Sequence, residues 1–191
     1  MIRGPYFAGC HASGGVFFVM DDHEPSATGP VGPDLIERLF DRHAAALEFY
    51  ARQWCASPED VVQEAMLLLA AEPQAPRDVA AWLYRVVRTR AINASRSARR
   101  RRRYETAAAS RERAWFVPSP GDAIDAKAAG AALDGLPDDQ REVVVARVWG
   151  GLTFHEIGEL TGTSDSTAHR RYAAALDALR RKLGMPCPKN D

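Results

Sequence analysis

From Asp34 onward the chain repeats one pattern: apolar residues recur at three- and four-residue steps, in segments broken by Pro and Gly. Leu35, Ile36, Leu39, Phe40, His43, Ala46, Leu47 and Tyr50 fall on one stripe, the period of an amphipathic helix. No segment shows a convincing two-residue alternation, and the Val143–Val145 triplet is flanked by helix signals. The expected fold class is therefore all-α. Ser57-Pro58-Glu59-Asp60 opens a second helix, with Ser57 as cap, Pro58 in the first turn and acids at the positive end of the dipole; it should run to about Ala71. A third opens near Asp78, carries Trp82, Leu83, Val86, Val87 and Ile92, and enters Arg99-Arg100-Arg101-Arg102-Arg103. Ala123 to Leu133 is Ala-rich and helical in character. Leu136-Pro137-Asp138-Asp139 starts a further helix that stops at Gly150-Gly151.

Two small helical domains joined by a flexible linker follow from this punctuation. Residues 1–33 are rich in Gly and Pro and read as a disordered leader, within which Met20 offers an alternative start. Residues 34–103 form a first domain. The linker covers 104–121 and holds Pro118-Ser119-Pro120-Gly121. Residues 122–183 form a second domain, and 184–191 is a tail.

Charge separates the same regions. Lys plus Arg and Asp plus Glu both number 25, yet residues 82–113 hold eleven Arg against Glu105 and Glu112, a net +9. Residues 34–72 hold eight acids against Arg38, Arg42 and Arg52, a net −5. Two surfaces of opposite sign imply two kinds of partner, and the basic one suits nucleic acid. With 46% hydrophobic residues, wholesale disorder is excluded. No apolar run of about 18 residues exists to span a membrane. Cys10, Cys55 and Cys187 are odd in number and lack CxxC spacing, against a disulfide framework or zinc finger and in favour of a reducing cytoplasm.

The most specific local signal lies in 153–183. Thr153 and Glu156 form a capping box, with Phe154, Ile157 and Leu160 on one side of a short helix. Gly162-Thr163 allows a tight turn, and Ser164 caps a second helix. There Ala168, Tyr172, Ala175, Leu176, Leu179 and Leu183 make the apolar stripe. Ser166, Thr167, His169, Arg170 and Arg171 remain on the other faces near its start. This is a helix-turn-helix, whose second helix presents its N-terminal residues to base edges and phosphates in the major groove. No P-loop, Gly-x-Ser-x-Gly or His-Glu-x-x-His is present. The five His and three Cys are scattered, so no enzyme, cofactor or metal site is expected.

Leu136-Pro137-Asp138-Asp139-Gln140-Arg141-Glu142, Gly151-Leu152-Thr153-Phe154-His155-Glu156-Ile157 and Ser166-Thr167-Ala168-His169-Arg170-Arg171 together resemble region 4 of small bacterial sigma-70 family factors. Pro58-Glu59-Asp60-Val61-Val62-Gln63-Glu64-Ala65-Met66 resembles region 2.2, and Ala81-Trp82-Leu83-Tyr84-Arg85-Val86-Val87-Arg88-Thr89-Arg90-Ala91 resembles regions 2.3 and 2.4. Order, spacing and linker are those of the extracytoplasmic-function (ECF) group, and the resemblance covers about residues 34–183.

The resemblance implies a factor that binds core RNA polymerase, through the β′ clamp helices and the β flap, and directs promoter-specific transcription initiation. It places Asp60, Gln63 and Glu64 on the polymerase, Arg85, Arg88, Arg90, Asn93, Arg99 and Arg100 on −10 DNA, and Ser166, Thr167, His169, Arg170 and Arg171 on −35 DNA. Trp82 is assigned to packing. An anti-sigma factor is a further partner that the family allows. An ordinary operator-binding regulator would need only the C-terminal half, and a sigma mimic titrating an anti-sigma factor would need no Arg block. His169 stands where the family usually has Lys, Ser166 where Gly is common, and Gly158 where Ala is common, which predicts a first helix weakened by about 1 kcal/mol. The Ala51–Ser57 stretch is shorter than usual.

Overall fold

The computed structural model describes residues 31–104 and 123–184. Most of the leader, nearly all of the linker and most of the tail lie outside these residues, as do Cys10 and Cys187. Among the described residues there are seven α-helices and no strand: α1 (Pro33–Ala51), α2 (Pro58–Ala70), α3 (Val79–Tyr104), α4 (Ala123–Asp134), α5 (Asp138–Val148), α6 (Phe154–Thr161) and α7 (Asp165–Lys182).

Local chemistry sets most of these boundaries. Pro33 and Pro58 sit in the first turns of α1 and α2, where a missing N–H costs nothing. α1 begins inside the stretch read as leader, and Val31 packs against the core. Ser57 makes no side-chain capping bond, contrary to its expected role. Asp78 does cap, its Oδ1 accepting from the Ala81 N–H at 2.8 Å. The last turn of α4 is closed by a distant guanidinium: Arg141 donates to the carbonyls of Leu133, Asp134 and Leu136 at 3.1, 3.3 and 3.0 Å. The first two are carbonyls of the kind that a helix end leaves without intrahelical partners, and the third belongs to the loop before α5.

α1, α2 and α3 pack on one another, as do α5, α6 and α7, but the two groups do not keep separate cores. One buried cluster runs from Leu47, Val62, Leu69, Leu83 and Val87 of the first group to Val143, Val145 and Ile157 of the second. A smaller one gathers Leu133, Leu136, Val144 and Ala175. The two halves expected to stand apart are thus joined over a common apolar seam. This arrangement explains the valine triplet. Helix α5 lies between both clusters, so neighbouring residues on different faces are all buried.

Tyr84 is fully buried in that seam, its ring edge-on to Tyr50 at 4.8 Å, and its hydroxyl has no hydrogen-bond partner among the described residues. A buried hydroxyl without a partner carries a desolvation cost of about 1–3 kcal/mol. Tyr84→Phe should therefore raise the melting temperature of the full chain, by about 2–4 °C for each 1 kcal/mol recovered. Thermal circular dichroism measures it.

Candidate nucleic-acid interface

The helix-turn-helix is built as its sequence implies. Thr153 Oγ1 accepts from the Glu156 N–H at 3.3 Å, and Glu156 Oε2 takes the Thr153 N–H at 2.6 Å and its hydroxyl at 2.7 Å. Gly162 ends α6 in the left-handed region at φ 70°, which only glycine enters without strain. Gly158 also has a positive reason to be glycine. A Cβ there would lie 2.8 Å from the Thr163 carbonyl oxygen, so the turn closes directly over it. The expected weakening of α6 is accompanied by a close approach that Ala would obstruct.

Ser164 then caps α7, its Oγ accepting from the Thr167 N–H at 3.3 Å. Ser164 Oγ also lies 3.1 Å from Ser166 Oγ and 2.9 Å from Thr167 Oγ1, and Arg170 donates to Thr167 Oγ1 at 3.3 Å. Ser166, His169 and Arg170 are exposed, and Ala168 beneath them is fully buried. The His169 ring stands edge-on to Phe154 with centroids 5.0 Å apart. Arg171 differs from its neighbours: its Nε lies 3.0 Å from Asp139 Oδ2 and it is half-buried against α5.

On α3 three of the basic side chains have carboxylate partners. Arg88 Nε lies 2.6 Å from Glu142 Oε1, Arg85 lies 3.6 Å from Glu159, and Arg90 lies 3.6 Å from Glu64 of α2. Asn93, Arg99 and Arg100 are exposed further along. Trp82 packs partly against the core. Asp60, Gln63 and Glu64 lie exposed on α2, beside Leu67, which is 71% exposed. Among the described residues no three His, Cys, Asp or Glu come together as a metal site, and no helix is long and apolar enough to cross a membrane. Cys55 is buried, its thiol donating weakly to the Ala51 carbonyl at 3.4 Å.

Two clusters escaped the sequence reading. Glu142 is buried, and besides Arg88 it accepts the Tyr50 hydroxyl at 2.7 Å. Burial, and then the adjacent Glu142 charge, push the Tyr50 hydroxyl well above the usual tyrosine range, so it stays a donor. Arg88 is affected the other way: burial disfavours its charge, yet the Glu142 hydrogen bond and charge outweigh it and raise its pKa. Asp78 and Glu156, the carboxylates that cap α3 and α6, form the second, facing each other across the two halves closely enough to shift each other's titration. Helical periodicity carries no signal for such pairings.

The described residues are thus all-helical or loop, with a capped helix-turn-helix and a long basic helix. The Sigma-70 region 2 profile matches residues 39–101, and Sigma-70 region 4 matches 132–181. The chain is 32% identical to the ECF RNA polymerase sigma factor SigL of Mycobacterium tuberculosis, over 78% of this chain and 89% of SigL. It is 34% identical to the RNA polymerase sigma factor CarQ of Myxococcus xanthus, over 79% of this chain and 90% of CarQ. Its fold matches that of the sigma factor RpoE, solved with the anti-sigma factor NepR from Bartonella quintana, with a TM-score of 0.65 and 20% identity over 81% of this chain and 99% of that one. It also matches CnrH, solved with the cytosolic domain of CnrY, with a TM-score of 0.53 and 21% identity over 80% and 90%. The chain belongs to the sigma-70 family, as an ECF sigma factor. It works with RNA polymerase and promoter DNA in directing transcription initiation.

The Asp78–Glu156 contact makes stability depend on pH. Burial, and then the bond to Asp78, raise the Glu156 carboxyl above its ordinary value, against the pull of Thr153. Burial would also raise Asp78, but the bond from Glu156, the Ala81 and Ala80 N–H groups and Arg85 hold it below. The pair thus favours the protonated form of Glu156 and the ionised form of Asp78. The Glu156 contribution is complete below its unfolded pKa and lost as pH rises through the raised folded value; the Asp78 contribution is complete above its unfolded pKa and lost as pH falls through the lowered one. The pair supports the fold most near about pH 4 and less toward neutrality. Glu156→Gln keeps an acceptor for Thr153 and supplies a permanent donor to Asp78. It should raise the melting temperature at pH 7 relative to the parent and reduce that advantage near pH 4.5, as thermal melts at the two pH values would show.

Proposed function

We propose that the two halves of this sigma factor divide promoter recognition between them. Ser166, Thr167, His169 and Arg170 at the start of α7 read the −35 element in the major groove, and Arg171 holds a backbone phosphate. The observation that supports this most directly is the exposed polar cluster at a capped helix start, turned away from the buried Ala168 underside. Positive dipole and free N–H groups favour a phosphate there. The ion pair with Asp139 restrains the Arg171 guanidinium, whose other donors stay available. Helix α3 meets the −10 element through Arg85, Arg88, Arg90, Asn93, Arg99 and Arg100, where cations hold the strand while unpaired bases are captured. Asp60, Gln63 and Glu64 on α2 meet the β′ clamp helices, and the C-terminal half meets the β flap.

In this reading a first domain over 34–103 and a second domain over 122–183 are joined by a linker over 104–121. The chain supplies binding and no catalytic step of its own, and it works in the cytoplasm with the polymerase. An anti-sigma factor is a candidate partner, as the names of the RpoE and CnrH complexes suggest. The deciding experiment adds the purified chain to core RNA polymerase and looks for promoter-directed transcripts. Their absence with intact polymerase binding would leave the sigma-mimic reading.

Two sets of variants test the residue assignments. Arg171→Ala should weaken binding to all −35 sequences alike and reduce the salt dependence by about one unit of slope, whereas His169→Lys should raise overall affinity and reorder the preferred −35 variants. Fluorescence titrations over a panel of duplexes at several salt concentrations separate these outcomes. Asp60→Ala with Gln63→Ala should weaken polymerase binding about tenfold or more, as loss of central interface contacts does, with helicity unchanged by circular dichroism.

A further inference from the structure

Helices α5, α6 and α7 converge behind one exposed side chain. His169 lies on the water-facing side of α7, yet its ring stands nearly perpendicular to Phe154 of α6, at 77° with centroids 5.0 Å apart. Phe154 is half-buried and touches α7 again one turn on, where Tyr172 crosses it at 62° and 5.5 Å. Arg147 of α5 sets its guanidinium carbon 5.0 Å over the Phe154 ring and donates from Nη1 to the Leu152 carbonyl at 2.7 Å. The Thr153 capping box fixes the backbone from which Phe154 projects. The contacts form a chain: a hydrogen-bonded guanidinium restrains a phenyl ring, and the phenyl ring restrains an imidazole. Packing α6 on α7 is served by the Tyr172 contact. The contact with an exposed imidazole buries little, and instead fixes where its two nitrogens lie.

We propose that Phe154, held by Arg147, is a positioning residue for −35 recognition: it fixes the His169 ring against a base edge, so that this place is read for sequence and not only for charge. This rests on the assignment of His169 to −35 DNA. The Lys usual at this place in the family offers a flexible point charge, which can follow a phosphate through many rotamers. An imidazole is short and planar, with its hydrogen-bonding nitrogens at set places on the ring, so it separates one base from another only when its plane is set. Setting the plane in the free protein has two consequences. Ring freedom that would be lost on DNA binding is already gone, which favours the correct contact. A restrained ring also cannot turn to pair with a wrong base, so mismatched sequences lose the contact. Edge-to-face aromatic pairs are strong enough for this, at a level corresponding to about fivefold in population.

The test uses the full chain and fluorescent duplexes carrying the −35 element and each of its single-base variants, titrated at several salt concentrations. Phe154→Leu keeps an apolar side chain but removes the ring. The spread of affinities across the variants should narrow about fivefold. Helicity and the slope of affinity against salt should stay unchanged, because no phosphate contact is lost. Phe154→Tyr keeps a ring and should retain the parent spread. His169→Ala should narrow the spread by a similar factor, and adding Phe154→Leu to it should narrow it no further, because the ring then has nothing to position. Independent narrowing by the two substitutions would overturn the proposal, since Phe154 would then act through the packing of the turn. Narrowing by His169→Ala but not by Phe154→Leu would overturn it as well, with the −35 assignment left standing. If neither substitution changes the spread, the proposal falls through that assignment itself. Should Phe154→Leu cost helicity, Phe154→Met decides in its place, its unbranched chain filling the gap without a ring, and a full parent spread there overturns the proposal.

Discussion

A carboxylate buried between elements that are 92 residues apart in sequence holds this structure in one arrangement. Glu142 accepts from Tyr50 of α1 and Arg88 of α3 while belonging to α5. An ionised carboxylate out of water is strongly disfavoured unless charge and hydrogen bonds compensate it. Removing one member of such a buried pair generally costs about 3–5 kcal/mol, although a well-packed apolar replacement of all members can be neutral or better. The contribution of the Glu142 cluster is therefore to alignment: three helices must meet at one oxygen, and an apolar seam alone would tolerate sliding.

Around that point the apolar core does the larger part of the work. Val143 and Val145 join the shared cluster and Val144 the smaller one, so α5 contributes burial on nearly every side. Such a helix has no water-facing stripe in its middle, which accounts for its β-like valine run within helical flanks. The same sandwiching leaves Tyr84 enclosed by residues that offer its hydroxyl nothing. An all-apolar seam would be more stable with Phe at that place.

Polar chemistry at the helix ends carries the functional geometry. The capping box of α6 and the Ser164 cap of α7 fix the angle at which the second helix leaves the turn, and the Thr163 carbonyl over Gly158 keeps that turn tight. The Glu156 carboxylate serves two purposes. It closes its own helix and meets Asp78, the cap of α3, so a local device for starting a helix also becomes a contact between halves.

Local information was sufficient for the parts of this protein whose signals repeat every three or four residues. The helices, their caps at Thr153 and Ser164, the exposed Ser166, His169 and Arg170 and the buried Ala168 all followed from period and capping chemistry, because those forces act within one or two turns. The packing reason for Gly158 was not legible, since the atom it accommodates lies across a turn. The partners of Arg85, Arg88, Arg90 and Arg171 were not legible either. An arginine on a helix surface has the same sequence signature whether it faces water, DNA or a carboxylate from another helix. Only the folded chain determined that Glu142 is buried, that Asp78 and Glu156 face each other, and that both halves close over one core. Those outcomes depend on which helix faces meet, and helical periodicity identifies an apolar face without naming the surface that will cover it.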